Sequence, residues 1–141
     1  MAEAIGRRIA AERGLADVTL SSAGTSAWEG APASDGALLV AMEHGIDLNA
    51  HRARVLAREL VVGADLVLVM GPHHLERAQV LGGEGKSHLL TAYASRGGDL
   101  TAVADPFGGD LEAYRTTFTD LEAAIGNALE RMVAERRTMG G

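Results

Sequence analysis

Residues 64–70 read Ala64-Asp65-Leu66-Val67-Leu68-Val69-Met70, and Gly71-Pro72 follows at once. The run is apolar on both faces, the pattern of a strand buried inside a parallel sheet rather than the alternation of a half-exposed one. Proline close to a first helical position, just past that strand, predicts a helix carrying His73 to Leu81. A buried strand feeding directly into a helix is the unit of a parallel α/β fold. The remainder of the chain repeats it in both directions.

Downstream, Gly82, Gly83 and Gly85 predict a loop, residues 87–90 a strand, and Asp105-Pro106-Phe107-Gly108-Gly109 a rigid turn. A last helix is expected from about Leu111 to Arg136, its buried stripe formed by Leu121, Ile125, Leu129, Met132 and Val133. Upstream, Met1, Ile5 and Ile9 are four residues apart and share one helical face, and Gly14 stands where a helix would close. Val18, Thr19 and Leu20 begin a strand expected over residues 17–22, followed by a small-residue loop to Pro32. A helix from Ser34 to His44, capped by Ser34 or Asp35 and closed by Gly45, would turn Leu38, Leu39 and Met42 to the core. Residues 47–60 are polar and Arg-rich, with a short helix at Ala57 to Leu60. The whole pattern predicts one domain, residues 1–141, built as a doubly wound parallel α/β sheet with helices on both faces. It begins on a helix, whereas folds of this kind normally begin on a strand and hold ligands where a strand end meets a helix N-terminus.

Composition narrows the function. Hydrophobic residues are 47% and charged residues 23% of the chain, and no apolar run approaches the roughly 20 residues of a membrane span. Glu3, Arg7 and Arg8 interrupt the first helix where a secretory signal would be continuously apolar, so a cytoplasmic protein is expected. The net charge of −6, with basic residues scattered, disfavours nucleic acid as a partner. There is no cysteine, which removes disulfides, thiolate metal sites and cysteine nucleophiles from the 141 residues.

Several segments, in this order and spacing, resemble the low-molecular-weight protein tyrosine phosphatases: MAEA at residues 1–4, SSAGTSAWEGAPA at 21–33, GIDLNAHRARVL at 45–56, ADLVLVM at 64–70, and DPFGG at 105–109 followed by EAY at 112–114. DPFGG with the later tyrosine looks like the bacterial branch that includes protein-arginine phosphatases. The resemblance covers nearly all of the chain, from Met1 to about Val133. Members of that family open with a central strand and a C-x5-R phosphate loop, and MAEA commonly comes next. The resemblance therefore implies a domain truncated at its N-terminus, lacking the first strand, the nucleophilic cysteine and the phosphate-clamping arginine. Translation assigned to begin at Met1, just past that loop, is an economical explanation.

The resemblance also implies roles for individual residues. Asp105 matches the general acid, which protonates the leaving oxygen or nitrogen and then serves as base toward water; Asp-Pro is equally a common turn opener. Trp28 and Phe107 would line the cleft against the substrate side chain, although a tryptophan in a Gly/Ala/Ser-rich loop also suits simple packing. Ser22 resembles the serine that braces the phosphate loop, and can also be read as a polar strand terminator. Arg52, Arg54 and Arg58 could meet an acidic phosphopeptide, or be a solvated surface. His73 and His74, adjacent at a helix start, fall on different faces, which argues against a joint metal site and for a solvated helix end. No metal and no cofactor are implied, and the partners are phosphorylated proteins or small phosphomonoesters. The functional expectation is dephosphorylation of phosphotyrosine or phosphoarginine proteins through a cysteinyl-phosphate in the intact family, with this chain inactive for want of the nucleophile. A non-catalytic pseudophosphatase or phosphoanion-binding module is the alternative. An arsenate reductase relative would need cysteines as well.

Overall fold

The computed structural model describes residues 1–25, 28–106 and 108–139, without the side chains of 137–139. Phe107 lies outside the described residues. Helix α1 (Ala2–Glu12) is followed by α2 (Asp35–Glu43), α3 (Arg58–Gly63), strand β1 (Val67–Val69), α4 (Pro72–Ala78), strand β2 (Ser87–Leu89), α5 (Leu90–Ala94) and α6 (Leu111–Met139). Helices α1 and α2 end in the same way. Gly14 takes φ +69° and Gly45 φ +76°. In α1 the Leu15 N–H reaches Ala10 O and the Gly14 N–H reaches Ala11 O; in α2 the Ile46 N–H reaches Ala41 O and the Gly45 N–H reaches Met42 O. This pair of bonds caps the last carbonyls, and only glycine accepts the left-handed backbone it needs without strain.

Helix α6 is the spine of the molecule, packing against α1, α2 and α5. Its buried side is Tyr114, Phe118, Leu121, Ile125, Ala128 and Leu129, with Met132 packed against the same core. Phe118, 1% exposed, is among the most deeply buried large side chains, and burial of such a ring contributes roughly 1.5–3 kcal/mol. Ile5 of α1 closes the core from one side and Leu90 and Tyr93 of α5 from another.

Helix α2 buries a different face from the one its sequence suggested. Ala37, Val40 and Ala41 are inside, while Leu39 and Met42 are exposed and Leu38 is only partly buried. The helix is apolar on all sides, so periodicity selects no face, and close approach to α6 selects the small residues. Gly36 sets that approach, because a Cβ there would lie 2.4 Å from the ring of Tyr114. Ser34 occupies the N-cap position without a side-chain cap bond. Its hydroxyl donates to the Tyr114 hydroxyl instead, at 3.2 Å.

Strands β1 and β2 pair in parallel, Val67 with Ser87, Leu68 with His88 and Val69 with Leu89. The connection runs through α4 and a π-helical turn, Gln79–Gly83, kinked at Gly82 with φ +104°. Residues 17–22 form no strand. Among the described residues, Thr19 to Ala23 make no main-chain hydrogen bond to one another or to any neighbour, and pairing resumes only at Gly24, whose N–H and C=O bond Arg54 O and the Leu56 N–H at 2.9 Å each. A strand exists by virtue of a hydrogen-bonded neighbour, and here none stands beside the segment. Arg7 takes part of that place, its guanidinium donating twice to Leu20 O, at 3.0 and 3.3 Å.

Candidate active site

The apolar run of β1 delivers the chain to Met70, and Gly71-Pro72 turns it into α4, proline at the first position costing no helical hydrogen bond. His73 is exposed and His74 half-buried, with ring centroids 3.9 Å apart and planes tilted by 46°. The two imidazoles therefore face one another, contrary to the expectation from their adjacency. Burial lowers the proton affinity of His74, the neighbouring His73 lowers it further, and Asp105 acts in the opposite sense. Among the described residues no cluster of His, Cys, Asp and Glu is arranged to hold a metal ion.

Asp105 reaches this place by a series of local bonds. The Ser95 hydroxyl accepts from the Asp99 N–H at 2.7 Å, and the Asp99 carboxylate accepts from the N–H and hydroxyl of Thr101 at 2.9 and 2.6 Å. The Val103 N–H then donates to Met70 O at 2.8 Å, which fastens the segment to the end of β1. Beyond Pro106 the chain turns tightly, the Gly109 N–H returning to Pro106 O at 2.8 Å with Gly108 at φ +81°. Asp110 then receives the Ala113 N–H at 2.9 Å at the start of α6. Asp105 is exposed and held between these two anchors.

On the α6 side of this segment lies a cavity of about 820 Å³ whose lining includes Asp99, Asp105, Asp110, Glu112 and Asp120. Five carboxylates would repel a dianionic phosphoryl group. Asp105 lines this cavity and also acts electrostatically on His74.

Of the other residues singled out from the sequence, Ser22 is half-buried and donates to Glu3 Oε1 at 2.9 Å. Trp28 is 84% exposed, in a turn closed by the Ala31 N–H to Trp28 O. Its loop lies along residues 52–56, through the Gly30 N–H to Ala53 O and the Val55 N–H to Glu29 Oε2. Arg52 spends its guanidinium on Asn49 O and His51 O, and Arg58 on Val80 O, so both are engaged with backbone. His73 and His74, expected from the sequence to be a solvated helix end, are in ring contact, and His74 is half-buried.

The family model for low molecular weight phosphotyrosine protein phosphatase matches residues 1–138. The chain belongs to that family. It is 35% identical over 122 residues to a protein-arginine-phosphatase of Geobacillus stearothermophilus, covering 86% of this chain and 82% of that protein. It is 33% identical to the protein-arginine-phosphatase of Bacillus subtilis, over 97% of this chain and 90% of that one. Among solved structures, the arginine phosphatase YwlE, a cysteine-to-serine mutant with a phosphorylated active-site serine, superposes with a TM-score of 0.87 at 34% identity, covering 96% of this chain and 88% of that one. The tyrosine phosphatase side is represented by Wzb of Escherichia coli K12, 30% identical over 85% of this chain and 80% of that protein. The fold is accordingly the α/β fold of this phosphatase family. No described helix is long and apolar enough to cross a membrane.

Proposed function

We propose that this chain carries the acid-base half of a phosphoprotein phosphatase of the arginine-directed branch, and that it is catalytically silent without a cysteine. Two observations support the reading: there is no cysteine in the 141 residues, and the segment carrying Asp105 is fastened to the end of β1 by the Val103 N–H to Met70 O bond. The reaction of the intact family follows. A thiolate attacks phosphorus as the P–N or P–O bond breaks, and Asp105 gives its proton to the departing nitrogen or oxygen. Asp105 as carboxylate then takes a proton from water, water oxygen attacks the thiophosphate, and inorganic phosphate leaves with the thiolate restored. Trp28 and Phe107 flank the substrate side chain and Ser22 braces the phosphate loop. The substrates are phosphorylated proteins in the cytoplasm, and the similarity to two protein-arginine-phosphatases favours phosphoarginine over phosphotyrosine.

A test uses two proteins: the 141-residue chain, and the same chain preceded by a family-like strand and a C-x5-R-S-P loop directly before Met1. The first should not release phosphate from phosphoarginine or aryl phosphate above background. The second should, with absolute dependence on the added cysteine and a loss on the order of 10²- to 10⁴-fold in Asp105→Asn. Turnover by the first that vanishes in Asp105→Ala would point to direct attack by water. A second protein that folds and stays inactive would favour the non-catalytic binding module.

A further inference from the structure

We propose that His74 is a positioning residue for Asp105, its imidazole meeting the carboxyl across the junction where Val103 is bonded to Met70. The inference rests on the reading of Asp105 as the acid, and three observations carry it. The Val103 N–H to Met70 O bond of 2.8 Å brings the Asp105 segment alongside the strand end that starts α4. Proline at the first helical position and buried Gly71 fix where α4 departs, and so where His74 stands. Gly71 is packed under both imidazoles, since a Cβ there would sit 3.5 Å from His73 Cε1 and 3.7 Å from His74 Nδ1.

The remaining charges around His74 are few. β1 is wholly apolar, the π-helical turn Gln79–Gly83 has no ionisable side chain, and the one titratable group of β2, His88, is turned to the Tyr93 ring at 5.3 Å. On its own helix α4, His73 is the group in ring contact; Glu76 and Arg77 lie beyond it, both exposed. Asp105, on the segment that the Val103 N–H fastens to Met70, is the acidic group that acts on His74. His73, exposed, lies against the half-buried His74 with ring centroids 3.9 Å apart. A neutral imidazole can hold the protonated acid as acceptor and the carboxylate as donor, so the same side chain can keep Asp105 in place through both halves of an acid-base cycle.

The test is a histidine NMR titration of the 141-residue chain, which requires no catalytic activity. His73→Asn assigns the two neighbouring imidazoles. Asp105→Asn removes the carboxylate and should lower the His74 midpoint by roughly half a pH unit or more. An unchanged His74 midpoint in a folded Asp105→Asn protein overturns the inference. In the cysteine-bearing protein, His74→Gln should shift the acid limb of the pH–rate profile, which a purely structural residue would not do. If the titration coupling is present but Asp105→Asn leaves turnover intact, the acid assignment fails and the pairing stands; the opposite result fails the pairing alone.

Discussion

Ser22 Oγ donates to Glu3 Oε1 at 2.9 Å, and Glu3 Oε2 lies 3.2 Å from Arg7 Nη1, whose guanidinium in turn holds Leu20 O. One carboxylate, 14% exposed, thus ties the first turn of α1 to a segment that no strand supports. The serine that the family resemblance assigns to a phosphate loop is here bonded to α1. Ser22→Ala should lower stability by about 1 kcal/mol, and Glu3→Ala by more, since it releases Ser22 and Arg7 together. Urea midpoints measure both. When a phosphate loop precedes Met1, Ser22→Ala should lower turnover as well, because the hydroxyl then has a catalytic element to brace. Equal midpoints for Ser22→Ala and the parent would show the bond to be incidental.

Gly36 offers a sharper packing test. Its Cα rests against Tyr114, and an added Cβ would lie 2.4 Å from Cε2 and 2.5 Å from Cδ2 of a ring that is 6% exposed. Neither α2 nor Tyr114 can give way cheaply, because the tyrosine hydroxyl is also held by Ser34. Gly36→Ala should cost about 1–3 kcal/mol, the usual range for overpacking, despite alanine's better helix propensity. Pairing it with Tyr114→Phe leaves the clash, whereas Tyr114→Leu should relieve part of it. A Gly36→Ala protein as stable as its parent would mean that the helices separate without penalty.

The parallel strand pair and the long C-terminal helix were legible in the sequence for simple reasons. Ala64 to Met70 carries its own burial signal, and Leu121, Ile125 and Leu129 repeat at helical spacing along α6. The buried face of α2 was not legible, because Leu38, Leu39 and Met42 are as apolar as Ala37, Val40 and Ala41, and only the approach of Tyr114 decides between them. Residues 17–22 have strand composition but no neighbour, and pairing is a property of two segments. The DPFGG turn pointed to Asp105 through family resemblance. His74 could not be read that way, since its relation to Asp105 arises from the Val103–Met70 bond, which joins positions far apart in the chain.

Tyr93 makes stability fall at high pH. Burial first, then its bond to Glu135 Oε2 at 3.1 Å and that carboxylate's charge, raise its pKa above the ordinary 10.0. The folded state thus favours the neutral phenol. The sign follows: the stabilisation is complete below the unfolded pKa near 10 and is lost as pH rises through the higher folded value. Urea midpoints should decline from pH 9.5 upward (about the onset of phenol ionisation), and Tyr93→Phe should remove that component while costing stability at neutral pH through the lost hydroxyl bond. Arg131, 4.2 Å over the Tyr93 ring, still covers the phenylalanine. An identical alkaline decline in both proteins would assign the effect to groups other than Tyr93.

The unsupported segment gives a residue-level test of the whole reading by hydrogen exchange. Thr19 to Ala23 make no main-chain bonds among the described residues, so their amides should exchange within a small factor of an unfolded chain, although Val18 and Leu20 pack toward the core and α1 respectively. The amides of Val67 and Val69, inside the β1–β2 ladder, should be protected far more strongly. Placing a family-like strand and phosphate loop before Met1 should change this contrast. A strand that pairs with residues 19–23 would bond their N–H groups and add apolar burial, raising protection there and sharpening the thermal transition together. Protection that appears at Thr19 to Ala23 only in the extended protein, in step with cysteine-dependent turnover, supports a single architecture for stability and catalysis. If those amides are already slow in the 141-residue chain, the segment has a partner of its own and the added strand does not pair there.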